Sequence, residues 1–279
     1  MTLPPILLGY LDKAGELALL ALGFFILAWI TKGARSLTDA RAATTETKNN
    51  ALLFVIETLT VAPYMTMAFV AVHTYLHGAD TDFAGTAFWT QLGTVPTVFL
   101  AILICDFVAY CSHRLYHTAW LWPAHAIHHS DTRLTWFSLI RQHPFERFRT
   151  LIDLIVMVLL GLPDWALITT AMVRTYWGYM IHADLPWTFG PFGFLLVSPV
   201  MHRWHHALEV PGSGVNFGIV FSVFDRLFGT YYVPGLCLGP TGVKEPIAPG
   251  LIGQYLHPFK TWGAMATEAA NLSRPRVSP

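Results

Sequence analysis

The sequence has little charge. Only 12% of its 279 residues are Asp, Glu, Lys or Arg, about half the share found in soluble domains, and 54% are hydrophobic. The mean hydropathy is +0.47. This composition indicates a protein whose solvent is largely lipid. The formal net charge is zero, so neither a nucleic-acid-binding face nor a face for acidic substrates is indicated.

Several metal and redox signatures are also missing. The three cysteines, Cys105, Cys111 and Cys237, show no C-x2-C spacing. Their pattern argues against a disulfide framework and a zinc ribbon, and we interpret them as small packing residues. The sequence contains no Glu-x-x-His pair of the ferritin-like di-iron proteins and no His-Glu-x-x-His of the metalloproteases.

Long apolar segments predict the membrane part of the chain. A bilayer-spanning helix needs about 20 mostly apolar residues. Four regions qualify in whole or in part, at about 12–31, 51–76, 94–112 and 150–182. Pro63 predicts a kink in the second. The fourth is broken at Gly161-Leu162-Pro163-Asp164, which favours a hairpin of two short or re-entrant helices.

These segments predict an all-α, integral membrane helical bundle of about four transmembrane or re-entrant units, with a histidine-rich helical cap. We divide it into membrane helices (1–94), a core in the same structural domain (95–235) and a C-terminal tail (236–279), frayed from 264 onwards. Lys and Arg are frequent between 32 and 48 but absent from 77–93. The first loop is therefore expected in the cytoplasm, which places every histidine cluster on that side.

Histidine is the residue that indicates chemistry. Eight of the 13 histidines form three clusters, one H-x3-H and two H-x2-H-H: His113 and His117; His125, His128 and His129; His202, His205 and His206. Residues three and four apart share a helix face, so each cluster can aim its rings at one region. Eight imidazoles exceed the four ligands of one structural zinc and fit two ions. We interpret His73, His77 and His257 as structural or solvated.

Two further residues are candidates for the same site. Asp106 lies two helical turns before His113, and an ionisable residue within a membrane span indicates function by default. It is expected either to accept an N–H from a ligand histidine or to pair with Arg114 or a neighbouring helix. His143, in an Arg-Gln-His-Pro sequence, either supports the site or is structural.

The boxes resemble those of the fatty acid hydroxylase / sterol desaturase superfamily of membrane non-haem di-iron enzymes. The resemblance spans roughly 95–232 and is carried by these motifs: DFVAYCSHRLYH, HAIHHS, RQHPFE, MHRWHH, NFG and FDRLFGTY. It implies two irons held by the histidines of all three boxes, with an extra ligand at His182. Some members have another histidine four residues earlier, where this chain has Gly178.

The resemblance also implies a reaction. We expect O2-dependent hydroxylation or desaturation of an unactivated C–H bond in a membrane lipid, with zinc as a possible substitute metal. The electrons are expected from a separate protein of the cytochrome b5, ferredoxin or reductase type, docking near Arg133–Arg149. A bacterial inner membrane is the expected location. The alternative is a non-redox membrane zinc-binding protein or transporter, although a transporter should place its ligands near the bilayer midplane.

Overall fold

The apolar segments form the longest helices of the protein. In the computed structural model, which describes residues 5–78, 85–212, 214–248 and 250–272, the chain is helical, and within these ranges the only β-structure is two isolated bridges, Leu196 to Phe221 and Ala207 to Thr241. The prediction of an all-α fold is confirmed. The helices are α1 Pro5–Lys32, α2 Arg35–Ala42, α3 Thr44–Thr60, α4 Ala62–Gly78, α5 Gly85–Leu92, α6 Thr94–Tyr116, α7 Trp122–His129, α8 Pro144–Leu159, α9 Asp164–His182, α10 Pro199–His205, α11 Val223–Leu227 and α12 Gly250–Leu272.

Two of these helices are long and apolar enough to cross a membrane by themselves. They are Leu11–Lys32 of α1 and the whole of α6. Helices α3 and α4 pass the same test together, with a bend of 46° between them. The bend lies beside Pro63, whose missing N–H and fixed φ suit the first turn of a new helix. The first three predicted segments and the kink are therefore confirmed.

Helices α8 and α9 form the predicted broken pair. Helix α8 ends at Leu159, Gly161 adopts a positive φ of 68°, and Pro163 stands directly before α9. Glycine suits this left-handed backbone conformation because it has no Cβ. Both helices pack against α6. The break in the fourth segment is thus confirmed, but α8 and α9 are not among the described helices that are long and apolar enough to cross a membrane, so only three of the four predicted units have that character.

The C-terminal segment is more ordered than expected. We predicted fraying from residue 264, but α12 continues to Leu272. Trp262 donates from Nε1 to the carbonyl of Trp120 at 2.7 Å, and Phe145 packs edge-on against the Phe259 and Trp262 rings. Apolar contacts with α7 and α8 therefore fix a segment whose polar end suggested disorder. Residues 273–279 of the predicted tail, and 79–84 of the predicted external loop, lie outside the described residues.

The predicted basic docking face around Arg133–Arg149 is wrong for most of its arginines. Arg141 is buried and donates to Glu46 at 2.8 Å and to Asn50 at 3.0 Å. Arg147 pairs with Glu57, and the Arg149 side chain is only 13% exposed. Arg133 alone in this group is exposed. Most of these charges therefore join helices inside the protein and do not form a surface.

Candidate metal centre

Nine histidines, those proposed as ligands from the sequence, converge in one part of the protein and separate into two groups. Within each group the candidate ligand nitrogens lie within 4.8 Å of one another. We name the groups site A and site B. Site A contains His113, His117, His125, His129 and His205, and site B contains His128, His182, His202 and His206.

Helix geometry explains why each H-x2-H-H box serves both sites. Successive residues on an α-helix are rotated by about 100°, so positions i and i+4 nearly align whereas i+3 and i+4 diverge. In α7 the aligned pair His125 and His129 joins site A, and His128 joins site B. In the box of α10 the roles are exchanged, because the aligned pair belongs to site B and His205 to site A. Each of the two boxes therefore supplies histidines to both sites.

Backbone carbonyls fix the tautomer of four of these rings. The Nδ1 atom of His113 lies 2.8 Å from the carbonyl oxygen of Phe217. The other three pairs, at 2.7 to 3.0 Å, are His128 with Arg141, His182 with Gly178, and His205 with Val215. A carbonyl only accepts, so each Nδ1 must carry the proton. Each Nε2 is then left with a lone pair, as a metal ligand requires.

The lone pairs face one another, which tests whether these residues suit a metal. Nε2 of His128 and Nε2 of His182 lie 3.2 Å apart, and carbonyls hold both Nδ1 protons. Two facing lone pairs repel each other unless a cation lies beside them. In site A, Nε2 of His205 is buried without a hydrogen-bond partner among the described residues. The donor set therefore fits metal ions at both sites.

Burial keeps the imidazoles neutral. It lowers the pKa of His205 to about 4, although the Val215 carbonyl opposes the shift. Burial is also the main cause of a pKa well below the usual value in five others: His125, His128, His129, His202 and His206. A neutral ring is the form that coordinates a metal, so at neutral pH no proton has to leave these rings before an ion binds.

A carboxylate that the sequence analysis did not propose contacts site A. Glu146, in the first turn of α8, contacts Nδ1 of His125, and both side chains are almost completely buried. The other carboxylate oxygen of Glu146 has no hydrogen-bond partner among the described residues. Burial raises the pKa of this carboxyl to about 8, and Arg149 opposes the rise. A cation at site A would favour the ionised form.

The matched family agrees with this geometry. Residues 98–230 match the family Fatty acid hydroxylase, and all nine histidines lie within that match. This region is a fatty acid hydroxylase domain. The match covers just under half of the chain, and it agrees with the resemblance to the fatty acid hydroxylase/sterol desaturase superfamily that the boxes indicate.

Relatives with several activities are similar to this chain over part of its length. The ornithine lipid hydroxylase OlsE of Rhizobium tropici is 31% identical over 169 residues, which cover 60% of this chain and 51% of the relative. The alkylglycerol monooxygenase of Homo sapiens is 27% identical over 181 residues, 62% of this chain and 39% of the relative. The Delta(7)-sterol 5(6)-desaturase ERG3A of Gibberella zeae is 29% identical over 157 residues, 56% and 42% respectively. The chain thus spans about half or less of their lengths. No solved structure matches it.

Asp106 of the hydroxylase domain does not contact a histidine, so that expectation is wrong. Its two carboxylate oxygens accept the backbone N–H groups of Val220 and Phe221, at 3.0 and 2.8 Å. These bonds also differ from the alternative expectation of a pair with Arg114 or a neighbouring helix, because both partners lie in the loop before α11. The same loop carries the Phe217 carbonyl that orients His113. Asp106 therefore acts on the site only by holding this loop against α6.

His143 of the hydroxylase domain is a structural residue. Its Nδ1 accepts the backbone N–H of Phe145 at 3.2 Å and so caps the start of α8. Its Nε2 lies 3.2 Å from the carbonyl oxygen of Tyr255 in α12. It belongs to neither histidine group. The cap contributes indirectly, because Glu146 lies in the turn that His143 begins.

Gly178 leaves no gap in site B. Four histidines already surround that site, and the Gly178 carbonyl accepts the Nδ1 proton of His182 at 2.7 Å. A Cβ at this position would lie 3.0 Å from both methyl carbons of Leu139. The space beside Gly178 is thus occupied by a packed leucine, and a histidine there would require Leu139 to move.

Among the described residues, site A borders an open cleft. An open cleft of about 730 Å³ is lined by His117, His129 and His205 of that site. Its outer wall contains Trp122, whose Nε1 donates to Glu245 at 2.5 Å. No histidine of site B lines this cleft. The two sites therefore differ in their access to solvent.

Proposed function

We propose that this protein is an O2-dependent di-iron enzyme that hydroxylates or desaturates an unactivated C–H bond of a membrane lipid. The observation that carries the proposal is the division of nine buried or nearly buried histidines into two adjacent groups with facing lone pairs. The nine proposed ligands are those of sites A and B. The match to the fatty acid hydroxylase family and the names of the relatives support lipid oxidation.

We assign iron as the native metal on the strength of the family resemblance, with zinc as a substitute that the same ligands accept. Both groups consist of imidazoles alone, which suit iron as well as zinc, and neither contains a thiolate. A bound iron pair would supply O2 activation and the removal of hydrogen from carbon. The residues of the chain bind the metals, set ring orientation through the carbonyls, and exclude bulk water from site B by burial. We assign no separate general base.

Substrate and partner follow from the surroundings. Helix α6 is a candidate membrane span and carries His113 of site A, so we expect a lipid chain to reach the site from the bilayer. Each turnover requires two electrons, which we assign to a separate donor of the cytochrome b5, ferredoxin or reductase type. No nucleic acid takes part. The excess of Lys and Arg between 32 and 48 favours histidine boxes facing the cytoplasm, in a bacterial inner membrane.

Metal analysis with an oxygen electrode tests the proposal. The protein purified in detergent should contain about two irons per chain and consume O2 when a lipid and a reductant are supplied. A preparation with full iron that never consumes O2 with any lipid and donor would exclude the oxygenase. Native loading with zinc and no redox activity would instead support the non-redox alternative.

Comparative lipid mass spectrometry identifies reaction and substrate together. Membranes with and without the gene should differ by one lipid class that gains the mass of one oxygen or loses that of two hydrogens. The first result means hydroxylation and the second desaturation.

A further inference from the structure

A second cavity lies on the side of the molecule where α1 ends. It has a volume of about 380 Å³, within the usual range for small-molecule sites. Helices α1, α2 and α3 form one side of it, and the segments 133–136 and 183–185, together with Arg203, form the other. None of the nine histidines lines it. It is therefore distinct from the cleft at site A.

One wall of this cavity is apolar and belongs to α1. Ala21, Phe24, Phe25 and Ala28 line it, and Phe24 stacks on Trp136 with ring centroids 5.5 Å apart. The candidate membrane span within α1 is not buried inside the protein, so this wall continues into a helix surface exposed to the bilayer. A hydrocarbon chain along α1 would therefore enter the cavity without leaving an apolar environment.

The other end of the cavity is charged and has an excess of cations. Its lining contains four basic side chains, Lys32, Lys48, Arg133 and Arg203, but only two carboxylates, Asp39 and Asp184. The two carboxylates are already engaged.

Lys32 lies 2.6 Å from Asp39 and 2.7 Å from Asp184. Arg203 lies 3.6 Å from the other oxygen of Asp184. Lys48 and Arg133 are exposed, and neither has a carboxylate partner among the described residues. The cavity thus combines paired charges with two cations available to a ligand.

The position of these charges matches the headgroup level of a bilayer. Helix α1 is apolar up to Ile30, and Lys32 ends it. Basic pockets beside transmembrane helices bind the anionic headgroups of lipids, and arginine matches phosphate oxygens well. Along the chain the cavity is also close to site B, since Ala183 follows His182 and Arg203 follows His202.

We propose that this cavity binds the headgroup of a phosphate-bearing anionic membrane lipid, with Lys48 and Arg133 holding the phosphate and the lipid chain lying along α1. That this lipid is the class oxidised at the metal pair rests on the proposed function, whereas binding itself does not. A zwitterionic lipid fits less well, because the carboxylates that would accept its cation are already paired with Lys32.

Headgroup selectivity tests the proposal. Full-length holoprotein in micelles of an uncharged detergent is titrated against chain-labelled phosphatidylglycerol and, separately, phosphatidylcholine. We expect tighter binding of phosphatidylglycerol by at least about tenfold. Lys48→Gln and Arg133→Gln should each weaken it about fivefold, and the double variant about 25-fold, with little change for phosphatidylcholine.

Two exposed cations outside the cavity supply matched controls. Arg41→Gln and Lys260→Gln should leave both affinities unchanged, since neither residue lines the cavity. Equal binding of the two lipids, or equal losses in the control variants, would overturn the proposal. Competition by glycerol 3-phosphate as effective as that by the lipid would also overturn it, because the occupant would then be a soluble phosphate.

Iron content and O2 uptake are measured on the same preparations. Normal iron content in Lys48→Gln and Arg133→Gln shows that the variants are folded. Headgroup selectivity without O2 uptake would preserve the lipid site and refute the oxygenase. O2 uptake without headgroup selectivity would support the oxygenase and refute the lipid site.

Discussion

Site A and site B are adjacent, but they differ in the number of histidines, in access to solvent and in the groups that orient the rings. Site A has five histidines, one of which, His117, is only partly buried and lines the open cleft. Site B has four histidines, all buried. A carboxylate, Glu146, contacts one ring of site A, whereas the two oriented rings of site B rely on backbone carbonyls. The comparison indicates that site B is closed and depends on each of its four ligands. Site A is more open and has one ligand more than site B.

The largest effect is expected from site B. His128→Ala leaves three histidines there and should abolish turnover, with the loss of about half the bound iron or more. His257→Ala, a histidine of α12 outside both groups, should keep full iron content and full activity. Metal analysis measures the iron content of both variants, and O2 uptake measures their turnover. Full metal and turnover in His128→Ala would show that site B is wrongly assigned.

A smaller effect is expected from the extra ligand of site A. His117→Ala leaves four histidines in that group, so it should retain measurable metal at both positions, although with weaker affinity at site A. The ligand to spare is His117 and not His205. His205→Ala removes a buried ring that the Val215 carbonyl orients, so this variant should abolish activity and iron loading at site A, an effect as large as that of His128→Ala. If His117→Ala lost as much metal as His128→Ala, the proposed difference in redundancy would be wrong.

Glu146 allows the support of site A to be tested separately. Glu146→Gln keeps an acceptor near Nδ1 of His125 but removes the charge. Replacing such partners typically weakens metal affinity 10- to 100-fold. Re-titration of metal-free protein with Zn²⁺ should show this loss for one of two binding steps. A uniform loss in both steps would mean that Glu146 supports the fold and not site A in particular.

Asp106 tests support that acts through the loop. Asp106→Asn replaces one acceptor by an N–H that faces a backbone N–H, so we expect a loss of about 1.5–3 kcal/mol in the free energy of unfolding. Thermal unfolding in detergent measures it. The Zn²⁺ affinity of site A should also fall, because the loop carries the acceptor of His113. An unchanged melting temperature would contradict this role.

The smallest expected effect is that of His143. His143→Ala removes a helix cap, which typically costs about 1 kcal/mol. The melting temperature should fall, and iron content per folded chain should stay at the wild-type level. His143→Asn, which can cap the same helix, should restore most of the stability. A loss of iron without a loss of stability would place His143 in the site after all.

The spacing of the histidines along the chain predicted the helical boxes, but it did not predict which other elements each box contacts. The i, i+3, i+4 spacing of histidines, even in helices as short as α7 and α10, was enough to predict that the imidazole rings of each box point to one region. The division of each box between two sites depends on how α7 and α10 face each other, which no local pattern reveals. Asp106 was misassigned because a helix face seven residues long says nothing about which neighbour packs on it.

Glu146 was overlooked for a similar reason. It is 21 residues from His125 along the chain, and only the packing of α8 against α7 brings the two together. A signal was nevertheless present, because Glu146 lies in the RQHPFE motif directly after a His-Pro helix start. Treating that motif as a positioned carboxylate, and not only as a possible histidine ligand, would have indicated it.

The carbonyl acceptors give four ligand rings an unusual tolerance to mutation. A side-chain acceptor disappears with one substitution, but a carbonyl persists whatever residue stands at positions 141, 178, 215 or 217. The orientation of these rings therefore depends on the backbone conformation and not on the identity of the side chains at these positions. His125 differs, because its partner is the side chain of Glu146, so a single amino-acid exchange can change the donor strength of that ring.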